Sequence, residues 1–164
     1  MKVIKLFAFI LSAGLLVLTW SCGAEEDTFD DAAQFAEDLE AIDTYITENN
    51  ITDTLHHWTG IRYKVHTEGT GLQARVGDFI LVDYKGYFLD DEVFDEGLFG
   101  DEPPRVLNSS SMIVGWYYMC QEMQEGDSLT IYIPSKYAYG RTGQGDVPAN
   151  TPLAFNMKMV RVGE

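Results

Sequence analysis

Positive charge is scarce in this chain of 164 residues, where 11 Lys and Arg face 26 Asp and Glu for a formal net charge of −15. A protein that grips nucleic acid neutralises phosphates with clustered Lys and Arg, so nucleic-acid binding is excluded as the main function. Cysteine is scarcer still. Cys22 and Cys120 cannot build a disulfide framework, and CxxC metal spacing is absent. Three histidines with no HExxH pattern leave a zinc enzyme without ligands, so no metal site is expected. No apolar run reaches the ~18 residues of a membrane-spanning helix. What the chain does hold is 46% hydrophobic and 13% aromatic residues, enough for one packed core and incompatible with wholesale disorder. Its length allows one domain of ordinary size plus extra sequence.

The extra sequence lies at the start. Lys2 and Lys5 precede an apolar run from Leu6 to Leu18, 13 residues with Ser12 as the only polar member. At ~1.5 Å per residue this covers roughly 20 Å, short of a ~30 Å hydrocarbon core and typical of a secretory signal. The run stops at Thr19-Trp20-Ser21-Cys22. That tail resembles a bacterial lipobox, in which a small residue precedes a cysteine that is lipidated, so residues 1–21 are read as a lipoprotein signal peptide and Cys22 as the lipidation site. An ordinary signal peptide is the plainer alternative. Glu25, Glu26 and Asp27 then form either a solvated tether or an acidic signal for the outer cell surface.

Charge is unevenly placed. Between Lys5 and Arg62 stand 11 Asp and Glu and no Lys or Arg, which marks a boundary near Leu55 to Thr59. Residues 22–57 are therefore read as an acidic tether and helix, and 58–164 as the main domain. Thr28 and Asp31 have the spacing of a capping box. Ala32, Phe35, Leu39, Ile42 and Ile46 follow at spacings of 3 and 4, the stripe of one helix face, which Asn49-Asn50 ends. Such a helix either lies on its own domain or near the membrane, or pairs with a second copy; a monomer is favoured.

From Thr59 onward the period becomes two. Ile61 to Val65, Phe79 to Phe88, Leu129 to Ile133 and Leu153 to Met159 alternate as strands, and Gly115 to Met123 has helical spacing. Several strands around one short helix predict an α+β fold, an antiparallel sheet curved around that helix and preceded by the acidic helix. Gly69 to Ala74 matches GxGxxA, but Val76-Gly77-Asp78 leads straight into a strand, leaving no helix to hold a pyrophosphate, so the segment is a turn. His56-His57 reads as a linker pair, and Cys120 as a small inward-facing hydrophobe.

Tyr84, Phe94, Asp95, Ile113, Trp116, Tyr139 and Phe155 gather aromatic rings and one carboxylate without a partner base. That set fits an apolar cleft with a polar handle, although from pattern alone a plain aromatic core is the simpler reading. The surrounding strings add a resemblance. EGTG at 68–71, VGDFILVDYKGYFLDDEVFD at 76–95, MIVGWYYMCQEMQEGD at 112–127, IPSKYAYG at 133–140 and VPANTPLAF at 147–155 resemble FKBP-type peptidyl-prolyl isomerases in order and spacing. The acidic helix and lipidated start are also similar to the gliding-motility-associated isomerase lipoproteins of some bacteria. The resemblance implies an FKBP-like fold and a cofactor-free isomerase acting on proline-containing polypeptides, anchored through Cys22 to the outer membrane of a bacterial envelope.

Carried over residue by residue, it places Trp116 at the floor of the proline pocket. Tyr84, Phe94, Met112, Ile113, Val147 and Phe155 become substrate-binding positions, and Tyr139 and Asp95 catalytic ones. An FKBP-like peptide-binding or chaperone module with little turnover is the alternative. Two departures stand out. Where the family has aromatic residues after the Asp loop this chain reads Pro103-Pro104-Arg105-Val106-Leu107. The loop after Gly140 is one residue short and carries Gln144 in place of the usual histidine.

Overall fold

The computed structural model describes residues 30–163; residues 1–21, read above as a signal peptide, Cys22, the acidic run at 25–27 and Thr28 lie outside them. The chain runs α1 (Asp31–Glu48), β1 (Leu55–His56), β2 (Arg62–Thr67), β3 (Phe79–Tyr87), β4 (Val93–Phe99), β5 (Arg105–Val106), α2 (Val114–Glu122), β6 (Ser128–Ile133), a single 3-10 turn (Ser135–Tyr137) and β7 (Leu153–Gly163). All strand pairs are antiparallel, in the order β1-β2-β6-β7-β3-β4, with β5 sharing the β4 edge of β3. The expected α+β architecture, a curved antiparallel sheet with one short helix and an N-terminal helix before it, is the one observed.

The two helices occupy opposite faces of the sheet, and β6 shows how. Leu129, Ile131 and Ile133 join Trp116, Met119 and Cys120 of α2 in the main core, together with Leu153, Phe155, Met157 and Met159 of β7. Tyr132 and Ala154, one residue out of phase, pack instead with Ile42 and Ile46 of α1. Alternation sends successive side chains to opposite faces, so a strand that looks half-exposed is buried on both sides once α1 covers it. Gly115 permits the contact between α2 and β6, because a Cβ there would come within 2.7 Å of Ile133.

α1 starts differently from the expected capping box. Asp30 is the cap, its carboxylate accepting from the N–H groups of Ala32 and Ala33, and Asp31 is the first helical residue. An aspartate directly before the first turn satisfies two otherwise orphaned donors, which leaves the Thr28–Asp31 spacing without a capping role. The helix ends at Asn49, and Asn50 takes a left-handed conformation with φ 54°. The apolar stripe seats α1, but polar groups fasten it. Arg62 of β2 grips Asp43 through two hydrogen bonds of 2.9 Å and donates a third to the Gly60 carbonyl. Tyr45 donates to Asp91 across the β3–β4 turn at 2.5 Å. Gly60, at φ 92°, lets Phe35 approach, since a Cβ there would stand 2.7 Å from its ring.

The Gly69–Ala74 segment opens no helix. In place of the expected turn it is an irregular stretch with a bend at Gly71 and an isolated bridge from Gln73 to Gln124, and the turn falls at Val76 and Gly77. Its Gly69 N–H donates to Asp127 at 2.6 Å and its Gly71 N–H to the Glu125 carbonyl at 3.0 Å, which ties it to the α2–β6 connection. His56 is more than linker, because with Leu55 it forms the edge strand β1 paired to β2. His57 bonds Thr59 at 2.7 Å through Nδ1 and stacks beside Trp58 and Tyr118. Cys120 is fully buried in the main core, and burial pushes its thiol up to about 12.

Candidate active site

A cleft of about 670 Å³ opens where α2 begins, between β3, β4, β7 and the segment after β6. Its floor is Trp116, 4% exposed, held edge-on by three rings: Tyr84 at 5.0 Å, Phe155 at 5.2 Å and Phe99 at 5.6 Å between centroids. Edge-to-face packing of this kind fixes the indole plane. The indole N–H is buried and finds no hydrogen-bond acceptor among the described residues. Met112, Ile113 and Val114 form one side of the mouth; Ala138, Tyr139, Thr142, Gly143 and Gln144 form the other.

The polar rim is short. Tyr84 donates its hydroxyl to Asp95 at 2.7 Å, joining β3 to β4. Burial first, then that hydrogen bond and the Asp95 charge, push the Tyr84 phenol up to about 12. Tyr139 is raised as well, by burial and then by Asp95. Both phenols therefore stay protonated at neutral pH and remain hydrogen-bond donors. Ile113 caps α2 in an extended conformation with no side-chain cap bond, so the first N–H groups of the helix lie beside the cleft mouth without an intrahelical acceptor.

Of the residues singled out from sequence, Tyr84, Asp95, Met112, Ile113, Trp116, Tyr139 and Phe155 line this one cleft. Phe94 stands outside the lining. It packs edge-on against Phe155 at 5.6 Å and beside Phe88 at 5.0 Å, and lines a neighbouring depression with Phe88, Leu89 and Val93. Val147 is a buried core residue, bridged to Gln144 through their backbones. Phe99, absent from the sequence-derived set, supplies the third ring on Trp116. The Pro103 to Leu107 stretch contributes nothing to the lining, and β5 within it pairs with the far end of β3, Phe79 and Ile80. Phe99 was within reach of sequence reasoning, because two-residue alternation from Asp95 along β4 brings Gly97 and then Phe99 to the same side.

Curved sheet, central helix and aromatic cleft together define an FKBP-like fold. The family description "FKBP-type peptidyl-prolyl cis-trans isomerase" matches residues 71–160, and the chain belongs to that family. Among characterised relatives, the probable isomerase FkpA of Neisseria meningitidis serogroup B is 36% identical over 106 residues, 64% of this chain and 39% of that protein. The outer membrane protein MIP of Legionella longbeachae is 30% identical over 105 residues, covering 63% and 45%. The crystal structure of a peptidyl-prolyl cis-trans isomerase from Pseudomonas syringae superposes with a TM-score of 0.64 at 28% identity, covering 79% of this chain and 96% of that one. The chain spans about two fifths of the length of the FkpA relatives it matches.

Proposed function

We propose that this protein is a prolyl isomerase that accelerates rotation about X-Pro bonds in polypeptides of the bacterial envelope. The observation that supports it most is the joining of a dry aromatic floor and a Tyr84–Asp95 rim in a single open cleft. Rotation about an X-Pro bond breaks amide resonance over a barrier of ~18–20 kcal/mol, and unaided it takes tens to hundreds of seconds. The twisted amide has lost conjugation and is less dipolar at its carbonyl. An apolar pocket therefore penalises the planar ground state more than the transition state, and differential binding lowers the barrier. A proline ring seated on Trp116 is out of water. Tyr139 and the Ile113 N–H hold the flanking carbonyls, and Asp95 lies beside the rotating amide. No nucleophile takes part.

A protease-coupled assay on a short X-Pro peptide tests this reading. Asp95→Val and Tyr139→Phe are expected to lose about tenfold or more in kcat with a smaller change in KM, the form taken by contacts made mainly in the transition state. A folded wild-type chain with no acceleration over buffer, together with an unchanged Tyr139→Phe variant, overturns the reading in favour of a peptide-binding module. That second reading is favoured by the shortened loop, which brings Gln144 to the cleft lining.

We further infer anchoring to the outer membrane through lipid on Cys22, supported by the apolar run and lipobox-like tail of the sequence and by the outer-membrane name of the Legionella relative. Among the described residues no helix is long and apolar enough to cross a membrane. Cys22→Ala is expected to abolish labelling by a fatty-acid probe and release the protein from membranes; equal membrane retention refutes the anchor.

A further inference from the structure

The buried face of α1 carries a carboxylate. Asp38, 1% exposed, sits between Phe35 and Ile42 at spacings of 3 and 4, the place of an apolar residue in such a stripe. Removing a carboxylate from water is costly unless hydrogen bonds replace the solvent. Here one oxygen accepts both the Ser135 N–H at 2.7 Å and the Ser135 hydroxyl at 2.5 Å, and the other accepts from Gln34 at 3.0 Å. Ser135, itself 3% exposed, opens the 3-10 turn that leads to the cleft. Its carbonyl accepts the N–H groups of Ala138 and Gly140, each at 2.9 Å. Those two residues bracket Tyr139. A single carboxylate on α1 thus holds, through its N–H and hydroxyl, the residue whose carbonyl receives both neighbours of Tyr139. Phe35 adds a lateral brace, edge-on to Tyr137 at 6.2 Å with Lys136 above its ring at 5.5 Å.

We propose that Asp38 is a positioning residue for Tyr139: through Ser135 it sets where the phenol stands at the cleft rim, so that α1 is part of the isomerase machinery and not only a cover for the sheet. The proposal rests on the reading of the cleft as a prolyl isomerase with Tyr139 as donor. It accounts for a charged group where Ile or Leu would seat the helix as well, since charge-assisted bonds to a backbone N–H are shorter and stronger than neutral ones. An apolar residue would leave the Ser135 N–H without an acceptor.

The test compares Asp38→Ala, Asp38→Asn and Ser135→Ala in the full chain by isomerisation of an X-Pro peptide, by amide hydrogen exchange at Ala138 and Gly140, and by denaturant unfolding. Asp38→Ala is expected to lower kcat about tenfold, in keeping with the cost of small misplacements of a catalytic group. KM should stay within about twofold, while exchange at Ala138 and Gly140 speeds up. Asp38→Asn, which keeps an acceptor but not the charge, should fall between Asp38→Ala and wild type, and it carries the test if Asp38→Ala fails to fold. Combining Asp38→Asn with Ser135→Ala should cost less than the sum of the single changes, because both act through one contact. Arg62→Met serves as a control. It breaks a different anchor of α1, the one to Asp43, and should lower stability while leaving kcat and exchange at those two amides unchanged.

Wild-type kcat and exchange in a folded Asp38→Asn variant overturn the proposal, as does an equal kcat loss in Arg62→Met. A wild-type chain that gives no acceleration refutes the isomerase reading instead. In that case the positional half of the proposal is still decided by exchange at Ala138 and Gly140.

Discussion

Trp116→Phe separates stability from function in an unusual way. An indole is larger than a phenyl ring, and losing roughly 40 Å² of buried apolar surface costs about 1 kcal/mol at ~25 cal/mol/Å², with a further cost for the space left behind. The indole N–H, however, is buried without an acceptor among the described residues. An unsatisfied buried donor destabilises a fold by about 1–3 kcal/mol, and Phe removes it. The phenyl ring still meets Tyr84, Phe155 and Phe99, so most of the edge-on packing survives. The opposing effects nearly cancel, and the unfolding free energy is expected to stay within about 1 kcal/mol of wild type, read from the denaturant midpoint at constant m. Trp116→Ala, by contrast, should cost about 3–5 kcal/mol. Turnover is expected to follow neither trend. A shallower floor seats the proline ring less well, so kcat/KM on an X-Pro peptide should fall about tenfold in Trp116→Phe, near 1.4 kcal/mol of transition-state binding. A stability loss above about 2 kcal/mol would refute the argument from the orphaned N–H. Full activity in a stable variant would refute Trp116 as the floor on which proline sits.

Ile42→Ala, at a fully buried position between α1 and the outer face of the sheet, should destabilise by about 2–5 kcal/mol in denaturant unfolding; a loss below ~0.5 kcal/mol would mean that α1 is not docked in solution. Cys120, its thiol raised by burial from 9.0 to about 12, should resist alkylation in the folded protein and react at once in denaturant. The same direction governs alkaline stability. The unfolded chain releases its thiol proton near pH 9.0 and its Tyr84 proton near 10.0 while the folded chain holds both to about 12. Stability is therefore full below pH 9.0 and falls progressively as pH rises through about 12; an unfolding midpoint that does not move over this range contradicts both assignments.

Strands with strict alternation were legible in sequence because one face of each meets the α2 core: Leu129, Ile131 and Ile133, or Leu153, Phe155, Met157 and Met159. The elements that escaped notice are those without such a face. β1 and β5 have two residues each, and β4 carries mostly exposed residues, so neither length nor period marks them. α1 was legible from Phe35, Leu39, Ile42 and Ile46, but what holds it was not. Asp38, Asp43 and Tyr45 act through partners 97, 19 and 46 residues away, a separation that helical spacing does not encode. In the cleft the aromatic strings pointed to Trp116, Tyr84 and Phe155. Phe94 and Val147 carry equally suggestive neighbours in sequence; in the structure Phe94 packs edge-on against Phe155 and Val147 lies in the core.

Alternation along β6 also explains why the two helices are coupled to one segment at the cleft rim. β6 presents Ile131 and Ile133 to α2 and Tyr132 to α1, so both helices pack against the strand that delivers the chain to Ser135. Between Ile133 and the 3-10 turn stands Pro134 alone, and a proline, with φ restricted near −65°, transmits the strand direction with little slack. The turn is then tied at its first residue to α1 by Asp38, and its last carbonyl neighbour is tied forward, since Gly140 accepts from Asn150 at 2.8 Å just ahead of β7. Tyr139 is held between a helix outside the matched family segment of 71–160 and β7, an interior strand of the sheet. On the proposed isomerase reading, a cleft that works by excluding water and by shape, with no covalent chemistry to correct a misplaced group, depends on such support for its rim. The acidic N-terminal helix supplies part of that support from the opposite face of the sheet.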